Sequence, residues 1–291
     1  GSIHSPRTPA LGAIASSLRP ADLLIQVGRP PVAARFGPYA ASASSRVIGT
    51  DAQAADPDAS ADAWLVGDAA DLLERAARRL GAEPPANEAD RRAFVESALT
   101  AHAAVAAAVR SAIGDGELTE PALAYDLAAR LPSGAFLVLG NSTPVRDACA
   151  FGSFALGDVT VLHQRGAAGI DGLVAGLAGA RLAAPAGVAV VALLGDVSAA
   201  HDLSSLAVLA SCPGPCVLVV ADNGGGRIFE ELPVARTSLG RAHLGRLFLT
   251  PPAQGAVSAL AAGLGLTCSR VTTRGSLAGA LEAAMGSDRP A

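Results

Sequence analysis

Basic clusters, aromatic side chains and long uninterrupted apolar runs are missing or scarce in this chain, and each shortage excludes something. The 291 residues carry 22 Lys and Arg against 26 Asp and Glu, a net charge of −4 with no basic patch. Nucleic-acid binding therefore lacks its electrostatic footprint. The most apolar run, Ala186–Leu194, stops at Gly195-Asp196, short of the ~18–20 residues that span a bilayer. No charged-then-apolar segment opens the chain as a secretory signal does. Of the four cysteines, Cys149, Cys212, Cys216 and Cys268, only Cys212 and Cys216 are close, with a Pro-Gly-Pro turn between them. No second pair or His cluster completes a zinc site, so free thiols in a reduced cytoplasm are expected. The expectation is a cytoplasmic protein with no nucleic-acid partner and no membrane span.

What is present is apolar and small. Hydrophobic residues make up 51% and charged residues 16%, while aromatics reach only 3%. That composition supplies a core and argues against disorder, and a core of Ala, Gly, Val and Leu suits close helix-on-sheet contact. The length accommodates two ordinary α/β domains. The chain opens Gly1-Ser2 without methionine and ends Ser287-Asp288-Arg289-Pro290-Ala291 without a closing element, so both ends read as cut.

Strand and helix signals alternate along the chain. Asp22–Val27, Arg46–Gly49 and Ala63–Val66 read as strands, and Asp68 is placed to cap a helix carrying Leu72, Leu73, Ala76, Ala77 and Leu80. Residues 1–82 are thus expected to form a first α/β domain, without a GxGxxG dinucleotide loop. Residues 83–117 read as a polar, Pro-containing linker followed by an Ala-rich connecting helix. Thr119-Glu120-Pro121 opens the next helix and a second domain over 118–291. There, strands at Ala135–Leu139, Val159–Leu162, Val188–Leu194 and Val217–Ala221 are expected, the first two joined by a loop. Helices are expected at Ile170–Leu182 and Leu203–Ala210. The fold class is α/β, with two doubly wound, mainly parallel-sheet domains.

The chemistry concentrates at Gly195-Asp196 and Asn223-Gly224-Gly225-Gly226. Each follows a buried apolar strand, and one helix separates them. A right-handed β-α-β crossover places such strands parallel and usually adjacent, with their carboxyl ends opening on one side. Asp196 and Asn223, 27 positions apart, are thereby brought together. A carboxylate, an amide oxygen and a backbone carbonyl form a hard-oxygen site for Mg²⁺ or Mn²⁺, completed by phosphate oxygens and water. Gly195 and the glycines at 224–226 let backbone approach an anion, and Ser198 with the following helix start offers donors. The bland alternative is a pair of turns. Gly67-Asp68 and Gly157-Asp158 show how little a lone Gly-Asp means. Gly114-Asp115-Gly116, with Asn141 26 positions after Asp115, has a similar spacing, but it follows a helix rather than a strand.

Gly195-Asp196 with Asn223 resembles the thiamine-diphosphate signature, with Val197 where most members have Gly. Four segments, GNSTPVRD (140–147), QRGAAGIDG (164–172), GDVSAAHDLSSL (195–206) and DNGGGRIFEELP (222–233), resemble in that order the 2-succinyl-5-enolpyruvyl-6-hydroxy-3-cyclohexene-1-carboxylate synthase family, the thiamine-diphosphate enzymes of menaquinone biosynthesis. The resemblance is strong over roughly 119–240 and looser over 8–82, which is similar to the family's middle domain.

That resemblance implies a thiamine-diphosphate-dependent transferase, a carboligase that decarboxylates 2-oxoglutarate and adds the resulting succinyl semialdehyde carbanion to isochorismate. It implies thiamine diphosphate with Mg²⁺ or Mn²⁺, held by Asp196 and Asn223 through their side chains and by Gly225 through its carbonyl. Gly195, Val197, Ser198 and Gly226 would border the diphosphate. Asp222 stands where an Asn is common. Ser142, Arg146 and Arg165 match substrate-binding positions, consistent with bidentate recognition of carboxylates by Arg. Ile228 and Phe229 match apolar lining, and Ile170 the bulky residue that bends the cofactor. The alternatives for these last residues are a surface ion pair at Arg146 and plain core at Ile170, Ile228 and Phe229. The activating glutamate normally comes from the first domain of a partner subunit, which no segment here resembles. The expectation is a fragment or split subunit, inactive alone, working as a homo-oligomer or with a complementing N-terminal-domain subunit. Two other readings remain: another thiamine-diphosphate 2-oxo-acid decarboxylase or carboligase, and a non-catalytic binding or regulatory subunit retaining the fold.

Overall fold

The computed structural model describes residues 15–33, 35–50, 56, 59–81, 87–114, 116–164, 166, 168–250 and 255–291. The chain divides into two compact units, one comprising Ala10–Ala112 and the other continuing from Ile113 to Ala291. Arg165 and Asp115 lie outside the described residues.

The first unit contains β1 (Leu23–Val27), α1 (Phe36–Ser42), β2 (Ser45–Thr50), β3 (Ala63–Val66), α2 (Ala69–Gly81) and α3 (Glu88–Ile113). Its three strands are parallel in the order β1-β2-β3. Asp68 caps α2, its carboxylate accepting the Asp71 N–H at 2.9 Å. Arg46, buried on β2, donates to the Gln26 side-chain oxygen on β1 at 2.5 Å and lies 3.4 Å from the buried Asp56 carboxylate. A buried charge survives only when paired and hydrogen-bonded, and this one is. Leu23, Ile25 and Val27 alternate onto one face of β1 and are exposed among the described residues.

The second unit runs α4 (Glu120–Arg130), β4 (Phe136–Leu139), α5 (Thr143–Ala150), β5 (Thr160–His163), α6 (Leu173–Ala183), β6 (Val190–Gly195), α7 (Asp196–His201), α8 (Leu206–Ala210) and β7 (Cys216–Ala221). After β7 come α9 (Ile228–Glu231), α10 (Ser238–His243), α11 (Ala256–Gly263) and α12 (Arg274–Met285). Its four strands are all parallel in the order β5-β4-β6-β7. The chain thus steps outward from β4 to β5, then crosses back to lay β6 on the other side of β4. The strand order reverses between β4 and β6, where doubly wound sheets open a crevice at their carboxyl ends.

β6 explains the sheet's stability. Val190, Ala192 and Leu194 pack with Leu173, Val174 and Leu177 of α6 and Leu206 and Leu209 of α8. Val191 and Leu193, on the opposite face, are buried as well, as a central parallel strand requires. Each large side chain so buried contributes roughly 1.5–3 kcal/mol. Arg274, at the start of α12, closes the unit: its Nε and Nη2 donate to the two Asp126 oxygens on α4 at 2.6 and 2.7 Å. The cysteines are free thiols, and burial pushes the Cys216 thiol up to about 12, a range in which it is inert.

The helices α1 and α9 to α12 have no counterpart in the sequence reading, and α8 begins at Leu206 rather than Leu203; two further differences bear on the site. The connection between β4 and β5 holds a helix, α5, which Thr143-Pro144 opens; proline suits a first helical turn because its missing N–H would have no intrahelical partner there. α6 begins at Leu173 rather than Ile170, because Gly172 takes a left-handed conformation at φ +67°. The Asp202 carboxylate then caps it, accepting the Val174 and Ala175 N–H groups at 2.8 and 3.0 Å.

Candidate functional site

The carboxyl ends of the four parallel strands surround one cavity of about 330 Å³. The β4 exit contributes Asn141, Ser142, Thr143 and Arg146; the β5 exit, Ala168 and Ile170; the β6 exit, Gly195 through Ser198. The β7 exit contributes Asn223 and Gly225 through Phe229, and Thr250 closes the far side. The residues assigned to the site from the sequence line this cavity, except Gly224, which shapes the adjoining turn, and Arg165, which lies outside the described residues. Asn141, Thr143, Ala168, Arg227 and Thr250 also line the cavity, and nothing in the sequence marks them for the site.

The register brings Asp196 and Asn223 together. Gly195 pairs with Ala221 at the last rung of the β6–β7 ladder, so both chains leave the sheet side by side. Asp196 is buried, with one oxygen accepting the Val197 N–H at 2.9 Å and the other the Gly225 N–H at 2.8 Å. Burial raises its carboxyl above the ordinary value; the Val197 and Gly225 N–H groups pull it back, and the nearby Asp222 charge raises it further. A cation beside it would offset the penalty of keeping that charge from water. Gly224 and Gly225 adopt φ of +85° and +121°, conformations that only glycine reaches without strain. The Asp222 carboxylate accepts the Gly224 N–H at 3.3 Å and so shapes the turn.

Asn223 carries the most telling atom. Its amide nitrogen donates to the Glu120 carboxylate at 3.0 Å, while its amide oxygen is buried and accepts no hydrogen bond among the described residues. An orphaned buried oxygen costs about 1–3 kcal/mol, and a hard cation is the natural partner for it. The Gly225 carbonyl accepts the Arg227 N–H at 2.9 Å and retains a second lone pair. Carboxylate, amide oxygen and carbonyl together fit the hard-oxygen set of a Mg²⁺ that also takes phosphate oxygens.

The neighbouring wall is built to fixed geometry. Asn141 donates to the carbonyls of Gln164 at 3.0 Å and Gly169 at 2.6 Å, which ties the β4 exit to the β5 exit. Gly140 lies so close to β6 that a Cβ there would meet Leu194 Cδ2 at 2.9 Å. Ser142 sits at φ +74° and Ala168 at φ +56°, strained values for side-chain-bearing residues. The Arg146 guanidinium donates to the Ser142 carbonyl at 2.7 Å, which orients it along the cavity wall. Among the described residues it makes no ion pair with Asp147. Phe229 packs against Phe248 with ring centroids 5.8 Å apart, supporting the apolar side.

Sequence comparison agrees with this geometry. Residues 159–291 match the family described as thiamine pyrophosphate enzyme, C-terminal TPP binding domain. Residues 159–291 are thus similar to the diphosphate-binding domain of thiamine-diphosphate enzymes. The chain is homologous to the 2-succinyl-5-enolpyruvyl-6-hydroxy-3-cyclohexene-1-carboxylate synthases. It is 42% identical to the one from Sorangium cellulosum (strain So ce56) over 269 residues, covering 90% of this chain and 43% of that protein. It is 43% identical over 145 residues to the one from Halorhodospira halophila (strain DSM 244 / SL1), covering 50% of this chain and 25% of that protein. The chain thus spans less than half the length of these relatives. In three dimensions it is similar to a crystal structure of a protein isolated from Mycobacterium smegmatis and proposed, in its description, to be a thiamin diphosphate-dependent enzyme. The TM-score is 0.57 at 20% identity, covering 92% of this chain and 47% of that one, a likeness of fold. No described helix is long and apolar enough to cross a membrane.

Proposed function

We propose that this chain holds the diphosphate and metal of thiamine diphosphate for a synthase that decarboxylates 2-oxoglutarate and joins the remaining four-carbon unit to isochorismate. The observation that carries the reading is the buried amide oxygen of Asn223, without a hydrogen bond among the described residues, beside the buried Asp196 carboxylate. Asp196, Asn223 and the Gly225 carbonyl would ligate Mg²⁺ or Mn²⁺, with Gly195, Val197, Ser198 and Gly226 bordering the diphosphate. When bound, thiamine diphosphate supplies the electron sink for decarboxylation. The protein's part is to orient and to exclude water. Arg146, steadied by the Ser142 carbonyl, would grip a substrate carboxylate together with Ser142 and Arg165, while Ile228 and Phe229 form the apolar wall. Ile170, at the β5 exit and lining the cavity, would be the bulky side chain that packs against the cofactor. The activating glutamate would come from an N-terminal domain of a partner subunit, in a cytoplasmic oligomer.

The test is calorimetric titration of thiamine diphosphate in Mg²⁺ with the wild-type chain and with Asp196→Ala. Binding that requires both Mg²⁺ and Asp196 is the expected result. Metal-independent binding, or full affinity in a folded Asp196→Ala chain, would overturn the assignment.

A further inference from the structure

The sequence treats Glu120 only as part of a helix opening, yet the fold sets it against the proposed metal loop 103 positions away. One of its carboxylate oxygens accepts the Asn223 side-chain N–H at 3.0 Å, and the other accepts the Thr143 hydroxyl at 2.8 Å. A carboxylate can only accept hydrogen bonds, so the nitrogen side of the Asn223 amide must face Glu120 and the oxygen must face away. That oxygen is the buried atom with no hydrogen bond among the described residues. We infer that Glu120 is a positioning residue, which locks the Asn223 amide with its oxygen toward the cation site.

The lock is well anchored. Glu120 lies in the first turn of α4, whose Thr119 cap accepts the Ala122 N–H at 3.3 Å, and carboxylates are favoured at that end of a helix. Thr143, buried at the first position of α5, fixes the second oxygen. A flipped Asn223 would place two N–H donors against the cation and its oxygen against a carboxylate, unfavourable on both sides. The same carboxylate thereby joins the metal loop to the segment bearing Ser142 and Arg146. This role rests on the proposed use of Asp196 and Asn223 as the metal pair, in which residues behind the ligands set affinity.

The experiment reads Mn²⁺ binding in the presence of thiamine diphosphate by electron paramagnetic resonance. The samples are wild type, Asp196→Ala, Glu120→Gln, Asn223→Asp and the variant carrying both Glu120→Gln and Asn223→Asp. The amide introduced by Glu120→Gln could satisfy either orientation of Asn223, so this substitution is expected to weaken Mn²⁺ binding about 10- to 100-fold. The carboxylate introduced by Asn223→Asp presents oxygen in every orientation, so adding Glu120→Gln in that background should cost nothing or strengthen binding. In the metal-free protein, the Asn223 side-chain amide resonances should move in Glu120→Gln, toward the average of the two orientations that the new amide permits. An equal loss in both backgrounds would mark Glu120 as a mere structural tie and overturn the inference. So would unchanged amide resonances, or Glu120→Gln binding Mn²⁺ like wild type while Asp196→Ala does not. Absence of Mn²⁺ binding in wild type, or full binding by Asp196→Ala, overturns the functional reading first and this role with it.

Discussion

Asp147 should make the protein less stable as the pH rises through neutrality, and replacing it with asparagine should abolish that loss. It lies on α5 directly after Arg146, and its carboxyl is pushed up to about 7 from an ordinary 3.8. Burial is the largest cause, followed by the negative charges of Glu120 and Glu231, with Arg146 partly opposing them. Because the folded value exceeds the unfolded one, the folded state binds more protons between the two. The stabilisation is complete below about pH 4 and drains away as the pH approaches 7. From pH 5 to pH 8 the carboxyl crosses about two units of that interval, a ceiling of about 3 kcal/mol at 1.36 kcal/mol per unit. Asp147 is only half-buried, and solvent screening reduces the expected figure to ~1–2 kcal/mol. Thermal melts of wild type and Asp147→Asn, in chelated buffer of constant ionic strength, measure this. The variant's gain over wild type should be larger at pH 8 than at pH 5 by roughly 2–6 °C. A gap that stays constant, or narrows at pH 8, would refute the account of Asp147 as a carboxyl forced to ionise among other acids.

Arg274→Ala leaves the Asp126 carboxylate, 5% exposed, with the Arg130 guanidinium at 3.6 Å in place of a bidentate partner, and should cost about 2 kcal/mol, read as a lower urea midpoint at unchanged slope. Gly225→Ala forces a side chain into φ +121°; a penalty of ~1–3 kcal/mol is expected, with weaker Mg²⁺-dependent binding of thiamine diphosphate by calorimetry. Asp202→Ala removes the acceptor of the Val174 and Ala175 N–H groups and of the Ser205 hydroxyl. It should cost ~1–2 kcal/mol and raise amide exchange in the first turn of α6, whereas unchanged exchange there would contradict the capping role.

The strands and the crevice were legible because their signals are periodic and local. Val188–Leu194 is apolar on both faces, which announces a central parallel strand, and the crossover rule then places Asp196 beside Asn223. The helix α5 was not legible: eight residues of TPVRDACA carry too few apolar positions to show a period. The start of α6 was misplaced by three residues because Gly172 ends one conformation before the helix begins another. Glu120 and Asp202 escaped notice for a different reason. Their partners lie 103 and 28 positions away, and a hydrogen bond between distant side chains and loops leaves no trace in composition or spacing. Thr119-Glu120-Pro121 reads as a helix opening and is one, yet that local role conceals the long-range one.

The corner at Ser142 sets selection for stability against selection for whatever its hydroxyl does in the cavity. With φ +74° and ψ −135°, the position has the backbone of a tight turn in which glycine rests without strain. A library screened for heat resistance alone should therefore enrich Ser142→Gly, a gain on the order of 1 kcal/mol, and discard the hydroxyl from the pocket wall. Any programme to harden this domain by stability screening would erode the pocket at the residue where the backbone is least comfortable.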